Sequence, residues 1–198
     1  MTTNATTPVG ATDALASDSR LDAVVDRLDR VAERLLSDKT ATSVLKGVPL
    51  GHAVHPMLTD VTIGCWTGAT MLDLGGRRTH VAARRFIGLG CLSAVPTILT
   101  GLADWQERDL PARRVGAAHA MLNSAALVLY FSSWRARRKG HHLRGVATAL
   151  IAMNVASAAG YLGGHLAFGS IESEAELVDA LAVDITAAEA TGLPISEP

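Results

Sequence analysis

Four long stretches of the chain are almost free of charged residues. They cover residues 53–74, 86–103, 115–134 and 145–170, and each approaches the roughly 20 residues that a helix needs to cross a bilayer. None shows the polar position at every turn that a helix of a soluble bundle presents to water. The pattern predicts an all-α fold: an integral membrane four-helix bundle formed by residues 47–169. A soluble bundle is the alternative.

The segments on either side of this bundle are polar. Residues 1–19 are rich in Thr and Ala, which predicts disorder. Residues 20–36 place Leu, Val and Ala at helical spacing opposite alternating acidic and basic side chains, so residues 20–46 predict an amphipathic helix and a linker. This helix is expected to pack on the bundle or lie on the membrane, and a coiled-coil contact with a partner is the alternative. Residues 170–198 form an acidic tail, expected to be disordered or weakly helical.

Composition agrees with a membrane protein, since 48% of the residues are hydrophobic. The net charge of −1 gives no indication of nucleic-acid binding. The two cysteines, Cys65 and Cys91, lie inside predicted helices and are expected to be small packing residues. No hydrolase, nucleotide-binding or zinc-finger pattern occurs, so an enzyme acting by itself is not expected.

Basic residues are concentrated in two of the three connections between the spans. Loops 75–85 and 135–144 contain most of them, whereas acidic residues balance the basic ones in residues 104–114. Because basic residues mark cytoplasmic loops, loops 75–85 and 135–144 are predicted inside the cell membrane, and both termini outside. Aromatic residues near helix ends are expected to anchor the helices at the membrane surface. These are Trp105, Trp134 and Tyr161.

This orientation brings an ionisable residue from each span to the outer membrane face. His55 lies at the start of the first span, Asp104 ends the second, His119 lies one turn into the third, and His165 lies near the end of the fourth. Ionisable groups in membranes are energetically costly and usually functional.

Polar residues also repeat along single helix faces. His55, Thr59 and Thr62 share one face, and His119 and Asn123 share another. The fourth span has the longest polar stripe. It contains Asn154, Ser157, Tyr161 and His165. These stripes are expected to face the bundle interior.

Imidazole groups at one level suggest a cofactor. Two of His55, His119 and His165 are candidate axial ligands of a haem b, and all three together are candidate ligands of zinc or copper. Candidate groups that orient these imidazoles are His52, Asp104, Asn123 and Tyr161. Two alternatives remain. One is a structural or assembly subunit without a cofactor, and the other is a small transporter with an ion or proton path through Asp60.

Four motifs appear in order along the chain: GHAVHPMLTD from Gly51, LTGLADW from Leu99, RRVG from Arg113 followed by His119 and Asn123, and GYLGGH from Gly160. Together they resemble a bacterial family of four-helix membrane proteins of unknown function. The resemblance implies a membrane domain. Relatives are often joined to Rieske-type iron–sulfur domains, which implies electron transfer.

The chain differs from the family pattern in three places. It has Ala53-Val54 where many members have Pro-Leu, and Thr59-Asp60 where a histidine is frequent. Its acidic tail has no cysteine to ligate an iron–sulfur cluster. A redox partner would therefore be a separate chain. Besides the lipid bilayer, a homo-oligomeric partner is the other expectation.

Overall fold

The computed structural model describes the backbone of residues 8–191 and the side chains of residues 10–168. Within this range the chain is helical and contains no strand, so the all-α fold is confirmed. The α-helices are α1 (Pro8–Ser17), α2 (Asp22–Leu35), α3 (Lys39–Lys46), α4 (Val54–Asp73), α5 (His80–Trp105), α6 (Leu110–Arg138) and α7 (His142–Thr191). The predicted disordered and tail residues 1–7 and 192–198 lie outside the described residues.

Helices α4 to α7 form the bundle. Helix α4 packs along α5 and α6 along α7, while α5 contacts α6 and α4 contacts α7 to close the ring. Within the described chain three helices are long and apolar enough to cross a membrane, over residues 76–105, 110–138 and 142–168. With 20 residues α4 is long enough as well, but its threonines and Asp60 make it less apolar. That α4 crosses the membrane therefore stays a prediction.

The two helical hairpins of the bundle repeat the same pattern of buried positions. Helix α4 buries Thr62, Trp66 and Ala69, and α6 buries the residues 64 positions later, Ala126, Tyr130 and Ser133. Helix α5 buries Ala83, Ile87 and Gly90, and α7 buries the residues 62 positions later, Gly145, Ala149 and Ala152. Equivalent helices run in the same direction. The hairpins are therefore parallel repeats related by an approximate two-fold axis along the bundle.

Contacts between equivalent residues locate this axis. The Trp66 and Tyr130 rings stack with their centroids 4.0 Å apart. The Arg137 guanidinium donates hydrogen bonds of 2.6 and 2.7 Å to the two carboxylate oxygens of Asp73, 64 positions earlier. Residues in equivalent positions touch only near a two-fold axis, so α4 and α6 face each other across the centre of the bundle.

Helices α1 to α3 cover the end of the bundle where α4 and α6 begin and α5 ends, which we call the capped end. Val25, Ala32 and Leu36 pack there in a cluster with Trp105 and Ala117. The apolar face of α2 is thus occupied by the bundle itself, as expected for one of the two interpretations of the amphipathic segment.

Ion pairs attach α2 to the capped end. Arg114 donates hydrogen bonds of 2.7 and 3.1 Å to the carboxylate of Asp22. These bonds hold the pKa of Asp22 below its ordinary value of 3.8. Asp29 accepts hydrogen bonds from Arg113 at 2.9 Å and from the Trp105 indole at 2.6 Å.

Two sequence expectations differ from the structure at this end. Trp105 is not a membrane-surface anchor, because it is buried between α2 and the bundle and its indole N–H is bound to Asp29. The segment 1–19, expected to be disordered, forms helix α1 from Pro8. Thr12 of α1 is fully buried and α1 lies against α6, so tertiary packing orders a segment whose composition alone predicts disorder. At the other terminus α7 continues through residues 170–191 of the acidic tail.

Candidate cofactor site at the capped end

His55 lies in the first turn of α4 and is held by α5. Its Nδ1 is 2.9 Å from the carbonyl oxygen of Thr97 and 3.3 Å from the Thr100 hydroxyl. The imidazole also lies against Gly101, where an added Cβ would be 2.7 Å from Cε1 of the ring. Since a carbonyl only accepts hydrogen bonds, Nδ1 carries the proton and Nε2 keeps its lone pair.

His119 lies on α6 and is held by α7. Its Nδ1 is 2.8 Å from the carbonyl oxygen of Ala159, and a Cβ added at Gly163 would be 2.8 Å from its Cε1. The proton is therefore again on Nδ1. The side-chain amide of Asn123 donates to Nε2 at 3.0 Å and to the carbonyl oxygen of His119 at 3.1 Å.

The two imidazoles occupy equivalent positions of the two repeats. His55 and His119 are 64 residues apart, and the glycines against which they pack, Gly101 and Gly163, are 62 apart. In both hairpins the accepting carbonyl belongs to the residue four positions before the glycine. The structure thus builds one histidine site twice, around the approximate two-fold axis.

Ionisable side chains lie near His55 at the capped end. His55 is close enough to His119 and to Asp104 for their charges to interact. Asp104 is half-buried, and Lys46 and Arg108 are also within electrostatic range of its carboxylate. Among the described residues none hydrogen-bonds to the Asp104 side chain. A carboxylate next to an imidazole can take up or release a proton as the charge of the site changes.

Three predicted residues are not drawn into this arrangement. His165 is two residues beyond Gly163, which places it about 200° around α7 from the face that holds His119. It is half-buried, and no described residue bonds to its ring. Tyr161 is 45% exposed and His52 is exposed ahead of α4.

The expectation that the α7 stripe faces the bundle interior is wrong. Asn154, Ser157 and Tyr161 are exposed on the outside of the bundle. The opposite face of α7 is lined by small residues such as Ala152 and Ala159, which allow α6 and the His119 ring to approach closely. Because that face packs inward, the polar stripe points outward.

The residues that orient the imidazoles were not identified from the sequence. They are Thr97, Gly101, Ala159 and Gly163, and their contribution is a carbonyl or a missing side chain rather than a functional group. One sequence signal was present. His55-Pro56-Met57-Leu58 and His119-Ala120-Met121-Leu122 share the pattern His-x-Met-Leu, which marks equivalent starts of the two repeats.

The described residues contain no cluster of metal ligands. Within the described residues no group of three or more His, Cys, Asp or Glu side chains is arranged to hold a metal ion. Cys65 and Cys91 are both free thiols.

Residues 51–170, more than half of the chain, match the family described as "Predicted membrane protein (DUF2231)". The chain belongs to the DUF2231 family. The DUF2231 segment contains both histidine sites and both glycines, whereas helices α1 to α3 of the cap precede it. The family match and the three long apolar helices together identify the chain as a membrane protein. No curated protein and no solved structure matches the chain.

Proposed function

We propose that the chain binds one haem b between His55 and His119 and exchanges single electrons with a separate redox protein at the capped end. The observation that carries the proposal is that one imidazole site is built twice around a two-fold axis. A bis-histidine haem takes two axial imidazoles, and the two repeats supply two.

The surroundings of the two imidazoles fit axial ligation. In both, Nδ1–H is bound to a backbone carbonyl, the usual partner that fixes the tautomer of a ligating histidine. Each ring rests in a recess that a Cβ on Gly101 or Gly163 would fill. Nε2 of His55 has no bonding partner among the described residues. Nε2 of His119 accepts from Asn123, whose amide retains its bond to the His119 carbonyl oxygen when Nε2 is engaged elsewhere.

When bound, a haem would supply reversible one-electron chemistry. The chain's own groups would set its surroundings. Asp104 would offset positive charge near His55, and helices α2 and α3 would limit access of water to the capped end. Ligation by zinc or copper through His55, His119 and His165 has less support, since no group of three such side chains among the described residues is arranged to hold a metal ion. The role of His165 distinguishes this site from a haem site.

A structural or assembly subunit without a cofactor is the second candidate. The observation that favours it is that both nitrogens of His119 already have hydrogen-bond partners. An ion path through Asp60 has less support, since Asp60 is exposed on the outside of the bundle.

The test uses the full chain, produced in a haem-supplied host and purified in detergent. We expect a Soret band, one haem per chain and a spectral change on reduction. His55→Ala and His119→Ala should abolish the Soret band, whereas the controls His165→Ala and His141→Ala should retain it. Stoichiometric metal that is lost in His165→Ala would instead support the three-histidine metal site.

A folded wild-type chain that shows no Soret band, even after titration with haemin, would overturn the haem proposal. If the alanine variants fail to fold, His119→Met provides the second readout. Methionine can replace an axial histidine, so a changed spectrum with retained haem supports ligation. An unchanged spectrum would count against it.

A further inference from the structure

One side of the bundle presents polar groups at positions where the equivalent side presents apolar ones. Helix α7 exposes Asn154, Ser157 and Tyr161. The residues 62 positions earlier, on α5, are Leu92, Val95 and Leu99. The α5 set is suited to lipid, whereas the α7 set introduces an amide and two hydroxyl groups.

Helix α4 differs from its equivalent in a related way. It exposes the charged Asp60 and the polar Thr67, whereas the residues 64 positions later on α6 are the uncharged Ser124 and the apolar Phe131. Thr70 of α4 contacts Met153 of α7, so the two helices are neighbours and their exposed polar groups lie on one side of the bundle. We call Asp60, Thr67, Asn154, Ser157 and Tyr161 the α4/α7 face.

The polar groups of this face lie at similar depth. Asp60 is five residues beyond His55 on α4. Because α7 runs in the opposite direction, the same level on α7 is five residues before Gly163, between Ser157 and Tyr161. This level is about 7.5 Å further along the bundle than the two imidazoles. At the same level α5 exposes Val95 and Ile98. A carboxylate to which no described residue bonds is costly where the neighbouring surface is suited to hydrocarbon.

We infer that the α4/α7 face is the contact between two copies of this chain, related by a two-fold axis along the membrane normal. The face is complementary to itself. The carboxylate of Asp60 only accepts hydrogen bonds, the Tyr161 hydroxyl donates, and the Asn154 amide keeps one donor and its acceptor after bonding to the Leu150 carbonyl. A two-fold axis along the normal preserves depth, so Asp60 of one copy meets Tyr161 of the other. Ser157 lies at the same level, but its hydroxyl already donates to the Met153 carbonyl oxygen at 2.9 Å and can only accept across the contact.

The test replaces residues of the α4/α7 face by those at the equivalent positions of α5 and α6. The triple variant Asn154→Leu, Ser157→Val and Tyr161→Leu gives α7 the residues of α5, and Asp60→Ser gives α4 the residue of α6. Donor-labelled and acceptor-labelled full chains are mixed in liposomes, and energy transfer is measured as the ratio of protein to lipid changes. Ser124→Leu, on the opposite side, is the control.

We expect wild type and Ser124→Leu to show the same saturating energy transfer. Both altered chains should require at least about tenfold more protein per lipid, since each lost interhelical bond is lost twice in a symmetric dimer. A wild-type chain without energy transfer at any ratio would overturn the inference, as would altered chains that associate like wild type.

Cysteine cross-linking keeps the inference testable if the altered chains fail to fold. In chains with Cys65 and Cys91 replaced by alanine, a mixture of Asp60→Cys and Tyr161→Cys should form a disulfide between two copies on oxidation, because the two positions face each other across the proposed contact. A mixture of Asp60→Cys and Leu99→Cys, the position on α5 equivalent to Tyr161, should not. Equal cross-linking of both mixtures would contradict the inference.

Discussion

At the scale of single residues, the candidate site depends on two glycines that have no side chain. The imidazoles of His55 and His119 reach carbonyl oxygens of the next helix because Gly101 and Gly163 carry no Cβ. An imidazole placed in this way has one tautomer and one orientation, which is what ligation requires of it. The spacing of His119 and Asn123 predicted that they share a face. No pattern of polar residues predicts which glycine a ring will meet.

Gly163→Ala should therefore displace the His119 ring. The added methyl would lie 2.8 Å from Cε1, so we expect a loss of roughly 1–3 kcal/mol of unfolding free energy, the usual cost of overpacking. Haem content of the purified protein should fall as well. Unfolding is followed by thermal melting in detergent.

The matched control is Gly164→Ala, the next residue on α7. A Cβ there meets nothing within 4 Å, so the change should be neutral or add up to about 1 kcal/mol through helix propensity. If both variants melt alike, the His119 ring does not depend on Gly163.

At the scale of helices, the ends of α4 and α6 opposite the cap are joined by a buried ion pair. The side chains of Asp73 and Arg137 are 7% and 1% exposed. Arg137 also bonds to the Ser133 hydroxyl at 3.2 Å, and the His142 ring, which stacks on His80, lies 3.4 Å from Asp73. Removing one member of such a pair leaves an unpaired charge in the bundle.

Asp73→Ala should consequently destabilise the bundle by about 3–5 kcal/mol, since Arg137 would remain buried without a counterion. The approximate symmetry allows a stricter test. Asp73 and Arg137 occupy equivalent positions, so the double variant Asp73→Arg and Arg137→Asp should recover at least half of that loss. Thermal melting of the single and double variants measures both effects.

An exposed ion pair serves as the reference for this experiment. Asp18 and Arg20 are joined at 2.7 Å, but the Arg20 side chain is 88% exposed. Arg20→Ala should leave the melting temperature close to that of the unaltered chain, since exposed ion pairs contribute little. An Asp73→Ala variant that melts like Arg20→Ala would show that the buried pair contributes little.

The apolar periodicity was sufficient to predict the helices of the bundle but not which face of each is buried. Apolar and small residues cover most of α7, so its polar stripe was assigned to the interior, and the structure places it outside. The decisive term is close approach of backbones, which Gly145, Ala149 and Ala152 allow. Hydropathy does not measure how closely two helix backbones can approach. For the same reason it did not reveal the two repeats.

At the scale of the whole molecule, charge is distributed unequally between the two ends. In loop 104–114, Arg113 and Arg114 bind Asp29 and Asp22 of α2. At the opposite end Arg137 is paired with Asp73, whereas the other Arg and Lys side chains of loops 75–85 and 135–144 have no acidic partner in the described chain. The excess of Arg and Lys in these two loops is the basis of the expected orientation.

The capped end should accordingly face outward and loops 75–85 and 135–144 should face the cytoplasm. In a chain with Cys65 and Cys91 replaced by alanine, Gln106→Cys reports the capped end and His141→Cys the opposite end. Both native residues are exposed, and neither substitution removes an Arg or Lys from a loop. A membrane-impermeant maleimide applied to intact cells should label the first variant and reach the second only after lysis. The reverse pattern would place the histidine sites, and any protein that exchanges electrons with them, on the cytoplasmic side.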